Sequence, residues 1–392
     1  MIDLEKIRQD TPGCEKLIHF NNAGAALMPS PVVKAIHNYL AAEEYQGGYE
    51  TADRYADMLN GFYGYAARLL NCQPRNIAFT TNATDSYNRA LSAIDFKPGD
   101  VILLTDNDYP SNYIASISLQ KRLGLRLVTI RNTPSGEVDL NDLDEKLKKH
   151  GPRLVSVSHV PTSSGLVQPA VKIGEVIKNY DALYLLDACQ SLGQLEVDAI
   201  ATQADFISGT FRKFLRGPRG SGMLYVSDKA LADGLEPLFI DLRGATWVTP
   251  DQYIAVKDAR RFEDWETSYA LMTGCKEALK YLVNIGIHNI EARNAALTGQ
   301  LKNKLGKIGN IRLLDRGAQQ CSIVTFSTGG TKEETMQYYH DHLINIYTSS
   351  KSSAVIDFQN KGLDWAVRVS PHYYNTEIEI DRFVEITRMR NI

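Results

Sequence analysis

The middle of the chain alternates between short apolar runs and amphipathic stretches. Runs rich in β-branched and other apolar residues occupy positions 77–80, 101–105, 125–130, 154–160, 182–187, 205–208 and 223–226. Helical periodicity fills several of the gaps, over 114–123, 140–149 and 171–180. Strands with no polar face, spaced by helices, are buried on both sides. The pattern therefore predicts βαβ units and an α/β fold around a mostly parallel sheet of seven strands. Beyond Gly274 the rhythm changes. Helical patterns at 275–284 and 292–305 are followed by a strand (322–327), a helix (332–345), a strand (365–370) and a helix (377–388). This predicts a large domain over 15–274 and a smaller α+β domain built from 1–14 and 275–392.

In such a sheet ligands sit beyond the carboxyl ends of the strands, so the residues that follow each run are where chemistry is sought. After 77–80 comes TNATDSYNRAL, where Asn82 or Thr84 can cap a helix. Its free N–H groups either hold a phosphate or are simply capped. After 101–105 comes DNDYPSN, and Tyr109 is either a platform for a flat ring or an ordinary turn residue. HVPTSSG closes the 154–160 run with His159, read as a buried core histidine because no second ligand lies at metal spacing. Asp187 ends the most apolar run, where a carboxylate is costly unless it caps a helix or meets a cation. Lys213 follows 205–208 in SGTFRKFLRGPRGSG. It is either a solvated amine or, if desolvated beside Arg212, a nucleophile with a lowered pKa.

Composition narrows the choice. A chain of 392 residues with 44% hydrophobic and 23% charged residues is ordinary globular protein. A formal charge of -3 provides no basic field for nucleic acid or membrane. The five scattered cysteines have no CxxC spacing, which argues against a disulfide framework and a zinc site and predicts a cytoplasmic protein. No apolar leader or membrane-length run is expected, and the Asn82 glycosylation sequon carries no weight in that compartment. No Walker loop and no GxGxxG occurs.

Taken in order, NATDS, DYPSN, HVPTSSG, LLDACQS and RKFLRGPRGSG resemble the class V aminotransferase family of pyridoxal-phosphate enzymes, fold type I. The resemblance runs from HFNNAGAALMPSPV to RVSPHYYNTEIEID. It implies that Lys213 holds the aldehyde of pyridoxal 5'-phosphate as a Schiff base, and that Asp187 keeps the pyridine nitrogen protonated. Tyr109 falls where desulfurases stack a histidine, which adds it to the catalytic candidates. Gln190 matches the contact to the ring oxygen, and Thr162 falls in the cofactor-binding segment. Ala83, Thr84, Thr210 and Arg212 match the phosphate cradle. Arg368 matches the grip on the substrate carboxylate, with Asn22 and Ala23 lining the substrate side. Glu266 and Thr267 fall where the family reaches the other subunit's phosphate, which implies a homodimer.

The departures select a reaction. Desulfurases carry a cysteine on a loop before the arginine, whereas here residues 348–362 read TSSKSSAVIDFQNKG. The histidine–arginine pair after the first helix is replaced by QGGYETA at 46–52. The lysine loop has one more residue before Gly-Pro than desulfurases have, closer to the isopenicillin N epimerase and ergothioneine sulfoxide lyase branch. The expectation is a C–S lyase that performs β-elimination on a cysteine conjugate, cystine or cysteine sulfoxide without a catalytic cysteine. An aminotransferase or an epimerase on the same cofactor is the alternative. A phosphate-binding or RNA-binding patch of Arg212, Lys213, Arg216 and Arg219 is the remote one. Residues 48–50 and 348–353 are expected to shape the substrate pocket.

Overall fold

A computed structural model describes residues 2–390 of the chain; Met1, Asn391 and Ile392, at the outer ends of the expected division, lie outside the described residues. All seven apolar runs become strands of one sheet: β1 (Ile77–Thr80), β2 (Val101–Leu104), β3 (Arg126–Thr129), β4 (Leu154–Ser158), β5 (Leu183–Asp187), β6 (Phe206–Thr210) and β7 (Gly222–Val226). Their order is β1-β7-β6-β5-β4-β2-β3. Only β7 is reversed, antiparallel to both β1 and β6. Both faces are covered, as the missing polar face required. Val101 and Leu103 enter one core, and Ile102 and Leu104 enter the other. The ends of β1, β2, β4, β5 and β6 and the start of β7 consequently share one edge, and the candidate residues lie along it.

The C-terminal part forms a four-stranded antiparallel sheet from Arg312–Leu313, Val324–Ser327, Trp365–Val369 and Tyr347–Ser350. A third core lies there, around Leu301, Phe326, Val367 and Phe383. The expected helix over 332–345 stops at Asp341, because Leu343 takes a left-handed backbone (φ 57°). Ile344–Asn345 then pairs in parallel with Ile18–His19.

This pairing bears on where the two units divide. Phe20 packs into the third core, so the start of the expected large domain lies with the C-terminal sheet. Conversely, helix Tyr269–Ile285 buries Met272, Cys275 and Leu279 in the first core, so position 274 falls inside a helix that packs with the large sheet. Three further helices, Ser30–Gln46, Gly48–Arg54 and Ala56–Leu70, and a hairpin of Ala245–Thr249 with Gln252–Ala255 are additional to the expected elements.

Candidate active site

The turn after β2 is built around a buried carboxylate. Asp108 accepts from the Thr105 amide and hydroxyl and from the Ser158 amide at the end of β4. Burial pushes it up to about 6 despite those donors. The arrangement ties two strand ends together and sets Tyr109, whose own N–H donates to Ser158 Oγ at 3.2 Å. Pro110 then opens helix Pro110–Leu123, its missing N–H being one that a helix start leaves unpaired anyway. Two residues on, Asn112 donates to Asp187 Oδ2 at 2.7 Å, while the Cys189 amide donates to Oδ1.

The loop after β6 is pinned from three sides. The Ala26 amide donates to the Arg212 carbonyl. His372 sits 2.9 Å from the Phe214 carbonyl through Nε2, with Asn294 at Nδ1. Burial holds this ring well below its usual pKa, so it is neutral, and a carbonyl partner fixes the proton on Nε2. Arg216 is fully enclosed and donates to Leu27 O, Tyr373 Oη and Thr11 Oγ1. Gly193 (φ 93°) permits the backbone of Phe214 and Leu215 to lie against it, where any Cβ would collide. The loop turns through left-handed Arg216 and Gly220.

This framework leaves Lys213 only 4% exposed, its Nζ 5.7 Å from the centre of the Tyr109 ring. Burial lowers its pKa to about 8, with Arg212 adding to the push and Cys189 and Asp187 opposing it. A cavity of about 400 Å³ opens over it, lined by Ala23, Tyr109, Thr162, Arg212, Arg368 and others. Arg368 donates to the Thr162 carbonyl at 2.9 Å and its Oγ1 at 3.1 Å, and to Asn21 Oδ1 at 3.3 Å. Its guanidinium lies 4.6 Å from the Tyr347 ring centre, and desolvation lowers its pKa to about 10. Nε has no partner.

The remaining expected residues divide. Gln190 stands beside the cavity, with Nε2 on Ala23 O and Thr162 Oγ1 and with Oε1 unpartnered. Thr210 ends β6 opposite Gly222, and helix Ala83–Ser92, capped by Asn82, begins against that glycine. A Cβ at Gly222 would strike the Asn82–Ala83 backbone, so the bare α-carbon brings the helix start, with the N–H groups of Ala83 and Thr84, to the lysine loop. Asn22 differs from expectation. Its amide is spent on His19 O, Ser370 O and the Tyr374 hydroxyl, and Asn21 faces the cavity instead. Glu266 and Thr267 lie outside the cavity of this single chain, Glu266 exposed. Residues 48–50 are exposed and do not line this cavity, whereas Ser349 and Ser353 do. His159 is buried and neutral, lowered to about 4, with Nδ1 unpaired.

Asn21, Asn112 and Tyr347 were not legible as site residues. Asn112 lay in a quoted motif, but only the fold carries it 75 positions to Asp187. The basic-patch reading fails on Arg216. It is sequestered, 4.4 Å from the Tyr374 ring and 5.1 Å from the Tyr373 ring, and offers nothing to a phosphate backbone. Among the described residues no group of three or more His, Cys, Asp or Glu side chains could hold a metal. No described helix is long and apolar enough to cross a membrane.

The donor set fits pyridoxal phosphate. It offers a buried amine for the aldehyde, a carboxylate at the neighbouring strand end, an aromatic ring beside the amine, and a helix start for the phosphate. Two buried polar atoms, Gln190 Oε1 and Arg368 Nε, still want partners. Comparison with known proteins agrees. The aminotransferase class-V family model matches residues 18–383. The chain is 28% identical over 391 residues to a probable cysteine desulfurase of Pyrococcus abyssi, covering 97% of this chain and 96% of that one. It is similar to the apo structure of a cysteine desulfurase from Thermococcus onnurineus NA1, with TM-score 0.92 and 26% identity, over 100% of this chain and 98% of the other. A cystine C–S lyase solved with its product cysteine persulfide shares the fold, with TM-score 0.85 and 22% identity, over 96% and 98% of the two chains. The chain belongs to the class V aminotransferase family, whose fold type I architecture it shows.

Proposed function

As a member of that family the chain is a pyridoxal-phosphate enzyme, and we propose that it is a C–S lyase that expels a group from Cβ of a cysteine-derived amino acid without a cysteine nucleophile. The observation that carries the reading is the wall of the cavity that Lys213 also lines. It presents Ser349 and Ser353 and no cysteine. None of the five thiols lines the cavity, and burial raises every one of them: Cys14 to about 11, Cys72 and Cys321 to about 12, and Cys189 and Cys275 well above the usual value. The relatives' names point to cysteine desulfurases, but a persulfide needs a thiolate beside the substrate, and this cavity has none.

The proposed roles follow the geometry. Arg368, with Nε free, receives the α-carboxylate. Lys213 Nζ, neutral above about pH 8, accepts the Cα proton. The bound cofactor supplies an electron sink for the pair left at Cα, and Asp187, oriented by Asn112, holds the proton on its ring nitrogen. Tyr109, beside Lys213, would stack on the cofactor ring and Gln190 would meet its oxygen, while Thr162 steadies both Gln190 and Arg368. Ala83, Thr84, Thr210 and Arg212 would cradle the phosphate. Arg212 donates to the Gly24 carbonyl and would have to leave that contact to reach the phosphate. The Cβ–S bond breaks and the leaving group departs with the electron pair and takes up a proton, as a thiol from an S-conjugate, a persulfide from cystine or a sulfenic acid from a sulfoxide; water then converts the remaining aminoacrylate to pyruvate and ammonia.

We place the divide between large and small domains along helix Ile287–Leu305, whose Ile290 enters the first core and Leu297 the third. A homodimer is part of the proposal. Phe239, Trp247 and Ile254 are 84%, 78% and 64% exposed, apolar side chains on and near the hairpin that a partner subunit would cover. Glu266 or Thr267, outside their own cavity, would then serve the partner's phosphate. The test is pyruvate release from cystine and from S-substituted cysteine sulfoxides. Half-transamination without pyruvate, or deuterium uptake at Cα without elimination, would sink the lyase reading.

A further inference from the structure

The strand Tyr347–Ser350 forms one wall of the Lys213 cavity. Side chains alternate along a strand, so Tyr347 and Ser349 share a face, and both line the cavity. Antiparallel pairing sets Tyr347 opposite Arg368 and Ser349 opposite Ala366. On the other face, Ser350 accepts from Lys332 Nζ. Ser349 has no such neighbour. Its counterpart across the ladder is a methyl group, which takes no hydrogen bond.

Ser349 is 1% exposed and its Oγ has no partner among the described residues. Ser353, which lines the same cavity, is only half-buried. A buried hydroxyl without a partner is unfavourable, and its persistence at a cavity wall marks a contact that a ligand completes. Position matters as much as burial. Ser349 lies one strand repeat, about 7 Å, from the row that carries Arg368. With the α-carboxylate on Arg368, that distance is the reach of the substrate's side chain.

We infer that Ser349 Oγ–H is the specificity-determining donor for the group on Cβ. The site takes amino acids whose Cβ substituent carries a hydrogen-bond acceptor in preference to hydrocarbon isosteres. The inference rests on the cavity being an amino-acid site, but not on elimination being its reaction.

The test is equilibrium binding to the cofactor-loaded enzyme, read from the cofactor's absorbance, with O-methyl-L-serine and L-norvaline. The two differ by an ether oxygen in place of a methylene. The wild type is expected to prefer O-methyl-L-serine about three- to tenfold, the worth of one neutral hydrogen bond. In Ser349→Ala the ratio falls to within about twofold of one, while norvaline binds as to the wild type, which also certifies the fold. Ser353→Ala keeps the preference. A wild type without preference, or a preference that survives in Ser349→Ala, overturns the inference. Failure of the wild type to bind either amino acid overturns the inference together with the site reading beneath it. A failed pyruvate assay with the preference intact strikes only the lyase.

Discussion

Two buried guanidinium groups, Arg216 on the Lys213 loop and Arg368 in the cavity beside it, are finished differently. Arg216, 1% exposed, has Nε, Nη1 and Nη2 all donated to protein oxygens and two tyrosine faces within about 5 Å. Arg368, 4% exposed, has a tyrosine face and two bonded nitrogens, but its Nε is left over. No carboxylate pairs with either among the described residues. Burial pulls both down; at Arg216 the surrounding tyrosines override it and raise the pKa, whereas Arg368 stays lowered to about 10. A cation that the protein completes is a structural post. One it leaves incomplete in a cavity waits for an anion.

The largest effect expected is on ligand affinity at Arg368. Arg368→Ala should weaken amino-acid binding by about 2–5 kcal/mol, measured by cofactor absorbance titration, with melting temperature unchanged or raised. Arg368→Lys should recover little of it, because an ammonium cannot offer the planar fork. Arg216→Ala should do the reverse: roughly 3 kcal/mol lost in urea denaturation, as three acceptors and two ring faces lose their partner. If the two variants behaved alike, the contrast would fall.

The pH dependence sharpens it further, because Lys213 titrates and the Arg216 post does not. Lys213 sits near 8 in the folded chain against 10.5 for an ordinary lysine, so between those values the unfolded chain binds the extra proton. Cofactor-free protein should therefore gain stability as pH rises from about 8 to about 10.5, and Lys213→Met should flatten that gain. Capture of pyridoxal phosphate should quicken as pH rises and level off above about 8, because only the neutral amine attacks. The smallest effect belongs to Tyr347→Leu, about 0.5–1 kcal/mol in amino-acid affinity from the lost cation–π face, with little change in stability.

The strands and their order of chemistry were legible because each buried strand shows as an apolar run and site residues follow such runs. Lys213 and Asp187 could be placed that way, whereas Arg368 lies within its strand and was placed by the family resemblance alone. Asn21 and Asn22 could not be told apart, since both are polar and adjacent and only the pairing of Phe20 with Ser370 decides which side chain turns inward. Arg216 read as a loop cation because its partners Tyr373 and Thr11 lie 157 and 205 positions away. The hairpin of Ala245–Thr249 with Gln252–Ala255 breaks the link between apolar runs and burial, since Trp247, Val248, Tyr253 and Ile254 are exposed in this chain.

The account's central claim is that Lys213 is the amine that holds the cofactor. Borohydride reduction of the purified, cofactor-loaded protein followed by peptide mass mapping tests it directly. The account predicts a phosphopyridoxyl group on Lys213 and on no other lysine; a label elsewhere, or none after incubation with pyridoxal phosphate, would contradict it.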